Sequence, residues 1–267
     1  MEDFKTHITD SDLADPTKKV HLKNIETLGQ HLDKPIKKII KHLKTNVTIN
    51  QQFQINKTLS KYLQFMKRDD DREVLLDYAK TISDKMTKQQ QTKTCDIKKG
   101  IEEGTIKTRE QLLEALDELY NDGEWKKYII NYLLFHFHTR NKDLNVTIVK
   151  RKMDTKDENT NYLWLKKKAV DFIRKDYKTK DLYGNKTYTI TDPKFIAAVK
   201  QYGETNLLNT NNLAREVKNN TIDKLTESQV NKIFIYSLPI TELSHISQSR
   251  GTSLQTLVDR YNPNKCL

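Results

Sequence analysis

An α+β fold is predicted, with a mostly helical C-terminal half that carries a small three-stranded antiparallel sheet and an all-helical N-terminal half before it. Three observations predict it. Apolar residues recur at helical spacing through most of the 267 residues. Runs rich in β-branched and aromatic residues are concentrated between Tyr162 and Ile190. Capping signals punctuate the helices of the second half.

From about Leu22 to Lys93 the chain predicts short basic helices. Ile36, Ile39, Ile40 and Leu43 share one face, with Lys34, Lys37, Lys38, Lys41 and Lys44 on the other. Asp69-Asp70-Asp71-Arg72 interrupts this pattern. Lys85 to Lys99, with Gln89-Gln90-Gln91 inside it, is polar and nearly core-free, and predicts an interdomain linker at about 85–105. The domains are therefore expected at 1–105 and 106–267.

The second half opens on a helix start, because Thr108 is followed three residues later by Gln111 and then by Leu112, Leu113, Leu116, Leu119 and Tyr120 at helical spacing. Asp122-Gly123 turns the chain. Trp125 to Phe137 is apolar on most of its surface and predicts a buried central helix. It delivers Thr139-Arg140 to a helix-to-strand junction ahead of Val146-Thr147-Ile148-Val149. Strands are expected at Tyr162–Leu165, Ala169–Ile173 and Tyr183–Ile190. Asp192-Pro193 caps a further helix, and the chain then reads as helical, with capping boxes at Thr226/Gln229 and Thr252/Gln255.

Lysine and arginine outnumber aspartate and glutamate by 47 to 36, a net charge of +11, which favours a polyanionic partner through phosphate neutralisation. No apolar run is long enough for a membrane span, and Met1-Glu2-Asp3-Phe4-Lys5 lacks a signal peptide's apolar core, so a soluble intracellular protein is expected, in nucleus, cytoplasm or virion. Cys95 and Cys266 are too few for a disulfide framework or a zinc site; a reducing compartment and no structural metal follow. The sequons at Asn46, Asn56, Asn145, Asn185 and Asn219 then have no secretory context.

Arg140 with Asp143-Leu144, Lys178-Thr179 between two strand-like runs, and Tyr261 near the C-terminus occur in an order that resembles the catalytic domain of tyrosine recombinases, the phage-integrase family, especially divergent forms from large DNA viruses. The resemblance covers roughly residues 108 to 263. It implies a mostly helical catalytic domain preceded by a DNA-clamping helical domain, acting on double-stranded DNA through a 3′-phosphotyrosyl intermediate, without metal or nucleotide cofactor. Under it, Arg140 forks onto the non-bridging oxygens of the scissile phosphate. Lys178, with Lys180 as its neighbour and competitor, protonates the leaving 5′-hydroxyl, and Tyr261 is the nucleophile. Strand exchange by such enzymes joins four active sites around two duplexes, so a homotetramer on DNA is implied.

Two boxes depart from the pattern. Ser249-Arg250-Gly251-Thr252-Ser253-Leu254 stands where the family has Leu-Gly-His-Ser, with Thr252, a ready helix N-cap, in the histidine's position. The family's His-x-x-Arg falls on Gln229-Val230-Asn231-Lys232. Gln229 there serves equally to close a capping box, and Lys232 keeps the charge without the bidentate geometry. Arg250 is the candidate replacement for the missing guanidinium, whereas His245 reads as a packed or solvent-facing residue. Two functions follow: a DNA recombinase or integrase using Arg140, Lys178, Lys232, Arg250, Thr252 and Tyr261, or a catalytically degenerate DNA-binding descendant of the same fold. Charge alone is also compatible with a basic scaffold that has no DNA role.

Overall fold

The computed structural model describes residues 1–210, 212–236 and 238–261; the side chains of Gln30, Tyr236, Ile240, Ser249, Thr256, Asp259, Arg260 and Tyr261 lie outside that description. The chain divides into two compact units, residues 1–90 and 91–267.

Unit 1 is all-helical. It holds α1 (Glu2–Thr9), α2 (Asp15–Leu28), a 3-10 turn at Gly29–His31, α3 (Ile36–Asn46), α4 (Ile49–Phe65) and the first part of α5 (Asp69–Glu102). The spacing within α3 decides its orientation: Ile36, Ile39, Ile40 and Leu43 are buried among Leu28, Leu32, Leu59 and Leu63, and the lysines between them are left outside. Thr48 and Gln51 form a capping box at the start of α4.

The expected linker is not a loop. α5 runs unbroken through 34 residues, and the units divide at Gln90/Gln91 inside it, within the segment expected as linker. Asp69, Asp70 and Asp71 begin this helix, where carboxylates favour the positive end of the helix dipole. The polar composition of 85–99 misleads because long straight side chains are good helix formers even without a wide apolar stripe; Thr94 and Ile97 there are buried. Cys95, also on α5, is disulfide-bonded, whereas the cysteine count leads to an expected reducing compartment; Cys266 lies outside the described residues.

Unit 2 is α+β. Its elements are α6 (Arg109–Asn121), α7 (Trp125–Phe137), a 3-10 turn (Asn141–Leu144), β1 (Val146–Val149), a second 3-10 turn (Lys152–Thr155), β2 (Asn161–Leu165), β3 (Val170–Arg174), the one-turn α8 (Lys180–Tyr183), β4 (Lys186–Ile190), α9 (Pro193–Tyr202), α10 (Leu213–Asn220), a 3-10 turn (Ile222–Lys224), α11 (Glu227–Tyr236), α12 (Ile240–Arg250) and α13 (Leu254–Tyr261). α7 is buried along Tyr128–Phe135, as its apolar composition predicts. The capping boxes at Thr108/Gln111 and Thr226/Gln229 form, and Asp192 accepts from Lys194 N ahead of Pro193.

The sheet has four strands in the order β1-β2-β3-β4 and is mixed, a correction to the expected three-stranded antiparallel one. β2, β3 and β4 are antiparallel, whereas β1 pairs with β2 in parallel, Val146 opposite Asn161 and Val149 opposite Trp164. A parallel neighbour needs a crossover instead of a hairpin turn, so the 150–160 connection carries no turn signature that would add β1 to the sheet. The outer edge of β1 is covered by residues 205–207 through Ile148 N to Thr205 O and Leu207 N to Val146 O. The third expected strand is shorter than its β-rich run, because Tyr183 ends α8 and β4 begins at Lys186.

Asn131, fully buried on α7, ties the turn after α10: its Nδ2 donates to Lys127 O (2.7 Å) and Asn220 O (2.9 Å), and its Oδ1 accepts from Ile222 N (3.1 Å). Asn131→Leu therefore strands buried backbone groups at the entry to α11, and a loss of about 2–4 kcal/mol is expected in urea unfolding. A loss under about 0.5 kcal/mol would show that the turn finds other partners.

Candidate functional site

The N-terminal wall is made where α7 ends. His138 adopts the left-handed conformation (φ 48°, ψ 41°) at the C-cap and turns the chain sharply. Thr139 and Arg140 then run extended into the 3-10 turn 141–144. Asp143, with none of its surface exposed, closes this turn: its Oδ2 accepts the Arg140 backbone N–H at 2.9 Å and Arg174 Nη2 at 2.6 Å. Arg174, on β3, is equally buried, and its guanidinium lies 4.6 Å from the centre of the Tyr177 ring.

A second wall is the β3–β4 connection, which holds Lys178. Buried Asn161 at the start of β2 pins its near end, accepting from Lys175 N (2.9 Å) and Asp176 N (2.8 Å) and donating to Asp176 O (2.9 Å). Tyr177 OH donates to Gly184 O at 2.6 Å and closes the far end. Lys178 sits in this long connection and not in a tight hairpin turn. The tight turn of the sheet is β2–β3, where Lys166 N donates to Ala169 O and Lys167 and Lys168 are exposed.

The third wall is the junction of α12 and α13. Arg250 is the last residue of α12 and Gly251 its left-handed C-cap (φ 62°). The Gly251 carbonyl accepts from Thr179 Oγ1 at 2.7 Å and from Arg140 Nη2 at 3.3 Å, so one backbone oxygen joins all three walls. A Cβ on Gly251 would stand 2.6 Å from Thr179 Oγ1 and 3.2 Å from Tyr177 Cε2. α13 starts at Leu254, so Thr252 is not its N-cap; Thr252 N instead donates back to Ser247 O, and the residue is left half-buried in the cleft wall.

These walls enclose a cleft of about 360 Å³ lined by Arg140, Lys178, Thr179, Leu182, Tyr183, Arg250, Gly251, Thr252, Ser253 and Leu257. Four of the six candidates, Arg140, Lys178, Arg250 and Thr252, thus come together. Among the described residues the lining holds three cationic side chains and no carboxylate. Arg140 Nη1 is buried without a hydrogen-bond partner among the described residues, and burial, with the charge of Arg250 behind it, brings the Arg140 pKa below the ordinary arginine value. Arg250 is held from behind by Glu227, Nη2 to Oε1 at 2.8 Å. Glu227 Oε2 also accepts from Asn141 N, and its Oε1 accepts from Asn231 Nδ2 at 3.3 Å, so the carboxylate is held by the 141–144 turn and by its own helix.

Lys232 is not part of the cleft. It is 4% exposed, and burial, reinforced by Lys93 and opposed by Asp96, pushes its ammonium down to about 8. Gln229 is spent on the capping box with Thr226. His245 faces solvent on α12. Tyr261 ends α13, and its side chain lies outside the described residues.

Sequence reasoning passed over Arg174, Asn161 and Glu227. An arginine in a strand, an asparagine at a strand start and a glutamate in a helix's first turn are ordinary residues there, and only tertiary contact distinguishes them. Among the described residues no group of three His, Cys, Asp or Glu side chains is placed to hold a metal ion, and no helix is long and apolar enough to cross a membrane. No protein-family model, curated protein or solved structure matches the chain.

Two outcomes are expected. Gly251→Ala combines a positive φ with the contact on Thr179 and should lower stability by about 1–3 kcal/mol. The added loss should shrink in a Thr179→Ala background, where the contacted oxygen is gone; strict additivity in that double-mutant cycle would place the strain elsewhere. Lys232 has a folded-state pKa of about 8 against an ordinary 10.5, so between those values the unfolded chain binds a proton that the folded chain lacks. Stability should therefore rise as pH climbs from about 8 towards 10, with the full penalty present below 8. Lys232→Met should flatten that limb of a thermal melting series and raise the midpoint near neutrality; an unchanged limb would assign it to other groups.

Proposed function

We propose that the cleft binds a phosphodiester and that the protein breaks and rejoins DNA strands through a covalent phosphotyrosyl intermediate. The observation that carries this reading is the convergence of Arg140, Lys178 and Arg250, from three separate segments, on a cleft whose lining has no carboxylate among the described residues. Arg250 is balanced by Glu227, whereas Arg140 and Lys178 have no ion-pair partner among the described residues, and an anion of about −1 to −2 in the cleft would compensate them. Arg140 Nη1, buried and without a hydrogen-bond partner among the described residues while Nη2 rests on Gly251 O, is the donor this reading assigns to an oxyanion.

In this mechanism Arg140 and Arg250 bind the non-bridging oxygens and stabilise the charge that builds on them as phosphorus becomes five-coordinate. The Tyr261 phenol oxygen attacks phosphorus, its proton leaving to solvent. The bond from phosphorus to the 5′-oxygen breaks, and Lys178, exposed at the rim, delivers a proton to that oxygen. Thr252 contributes a hydroxyl donor to the phosphate. Tyr261 stands one helical turn beyond Leu257, which lines the cleft. The phosphotyrosyl ester conserves the energy of the broken bond, so rejoining needs attack by a 5′-hydroxyl alone. Double-stranded DNA is the partner, and a tetramer on two duplexes is the assembly that strand exchange would need.

Two observations favour the second reading, a DNA-binding protein that has lost catalysis: Lys232 lies outside the cleft, and Arg250 is engaged by Glu227. Incubation with a nicked or flap-bearing duplex separates the readings. A covalent protein–DNA adduct is expected, lost in Tyr261→Phe. Arg140→Ala should abolish the adduct while leaving duplex affinity within about 1–3 kcal/mol of wild type, since one fork is a small part of the footprint but acts mainly on the transition state. Absence of any adduct, with one protein bound per duplex, supports the binder. If Arg140→Ala weakens binding and leaves cleavage per bound complex unchanged, Arg140 only positions DNA.

A further inference from the structure

Unit 1 carries a cluster of titratable groups that the cleft does not use. His31, in the 3-10 turn after α2, and His42, on α3, stack with ring centroids 4.0 Å apart and planes 22° from parallel. Lys34 Nζ donates to His31 Nδ1 at 3.0 Å, and the Asn46 amide donates to His42 Nδ1 at 3.1 Å. Each ring therefore uses Nδ1 as an acceptor, the state of a neutral imidazole with its proton on Nε2.

The charged groups near the pair are Lys34, Lys38, Arg68, Asp71 and Asp33. Lys38, on α3, is one turn before His42. Asp33 accepts from Tyr62 OH at 2.9 Å. Arg68 donates to the Leu32 and Lys34 carbonyls and pairs with Asp71. Among the described residues neither ring has a carboxylate as hydrogen-bond or ion-pair partner. Burial, followed by His42 and Lys34, lowers the His31 pKa from its ordinary value. The outer face of α3 continues with Lys37, Lys38 and Lys41, which are exposed and have no ion-pair partner among the described residues.

We propose that His31, Lys34 and His42 form a phosphate-binding patch that takes up a proton when it engages a nucleic-acid backbone, so that unit 1 grips DNA more tightly as pH falls. The proposal rests on the reading of DNA as the partner. In the free protein Lys34 occupies His31 Nδ1, and protonating that nitrogen would both break the hydrogen bond and set two positive charges side by side. A phosphate changes both conditions. It draws the Lys34 ammonium onto its own oxygens, frees Nδ1 to take a proton and donate to a second oxygen, and compensates the added charge. Because the bound state holds the proton more tightly than the free state, linkage requires affinity to increase as pH falls through the imidazole range. Ordinary lysine contacts titrate far above this range and show no such dependence.

The test uses the full chain at constant ionic strength. A fluorescently labelled duplex is titrated between about pH 7.5 and about pH 6, where imidazole changes charge. The wild-type Kd should fall roughly three- to tenfold over that interval, as expected for uptake of up to one proton, and the H31Q/H42Q protein should show a flat profile. Equal pH dependence in the two proteins overturns the proposal. A second measurement does not depend on the variant's folding: the His31 ring signal of the wild-type protein is followed through its titration by NMR, alone, with the duplex, and with inorganic tripolyphosphate. Its midpoint should move up with both. If the duplex binds without moving it, the patch is wrong and the DNA reading stands; if tripolyphosphate moves it while no duplex binds at any pH, the patch stands and the DNA reading falls.

Discussion

The candidate site depends first on the ion pair between Asp143 and Arg174, both with no exposed surface. Removing two charges from water is costly, and a pair of this kind survives only where geometry and extra hydrogen bonds compensate. Here the compensation is specific. Asp143 Oδ2 takes Arg174 Nη2 and the Arg140 N–H together, and the Tyr177 ring covers the guanidinium. Breaking such a pair typically costs about 3–5 kcal/mol because the survivor is left charged and buried. The turn at 141–144 is thereby clamped to β3, and the direction in which Arg140 leaves the backbone follows from that clamp.

From there the walls are joined mainly through backbone atoms. Asn161 holds the Lys178 loop by the amides and carbonyl of 175–176, and the Gly251 carbonyl gathers Thr179 and Arg140. Contacts of this type fix where the segments lie without using the cationic ends of Lys178 or Arg140 Nη1. The acidic residues nearby are similarly occupied behind the walls, Asp143 by Arg174 and Glu227 by Arg250. The result is a positively lined cleft with its nearest carboxylates, buried Asp143 and half-buried Glu227, engaged one layer back.

What the sequence makes legible is whatever a local pattern encodes. The helix periods of α3, α6 and α7, the capping boxes at Thr108 and Thr226, and the strand runs that became β2 and β3 are all local, and they occur where the patterns put them. Features that depend on distant partners were hidden. β1 enters the sheet through a parallel crossover, α5 is continuous although its middle is polar, and Thr252 lies outside α13 because that helix begins at Leu254. Within the site, Arg140 was legible because an arginine after a buried helix at a helix-to-strand junction is unusual. Glu227, Asn161 and Arg174 were not, since nothing within a few residues of each separates it from a surface or packing residue. That Lys232 lies apart from the cleft lining was hidden for a related reason: spacing along the chain gives its distance from Arg250 but not which side of α11 faces the cleft.

Glu227 bears most directly on whether the cleft is a phosphate site or a closed ion-pair network. A guanidinium presents five N–H donors in a planar fork, so an edge resting on a carboxylate is compatible with another edge on a phosphate, and the carboxylate then orients the fork. A lysine could not serve both, because its compact ammonium has no fixed second edge. The Arg250–Glu227 pair is therefore consistent with a positioned arginine as well as with a structural one. The lining of the cleft favours the first: Glu227 is not among the lining residues, and Arg140, Lys178 and Arg250 are. A network built only for stability would be expected to bring carboxylates to the cleft side and to leave no donor on Arg140 unused; here the carboxylates are one layer behind, and Arg140 Nη1 is without a hydrogen-bond partner among the described residues.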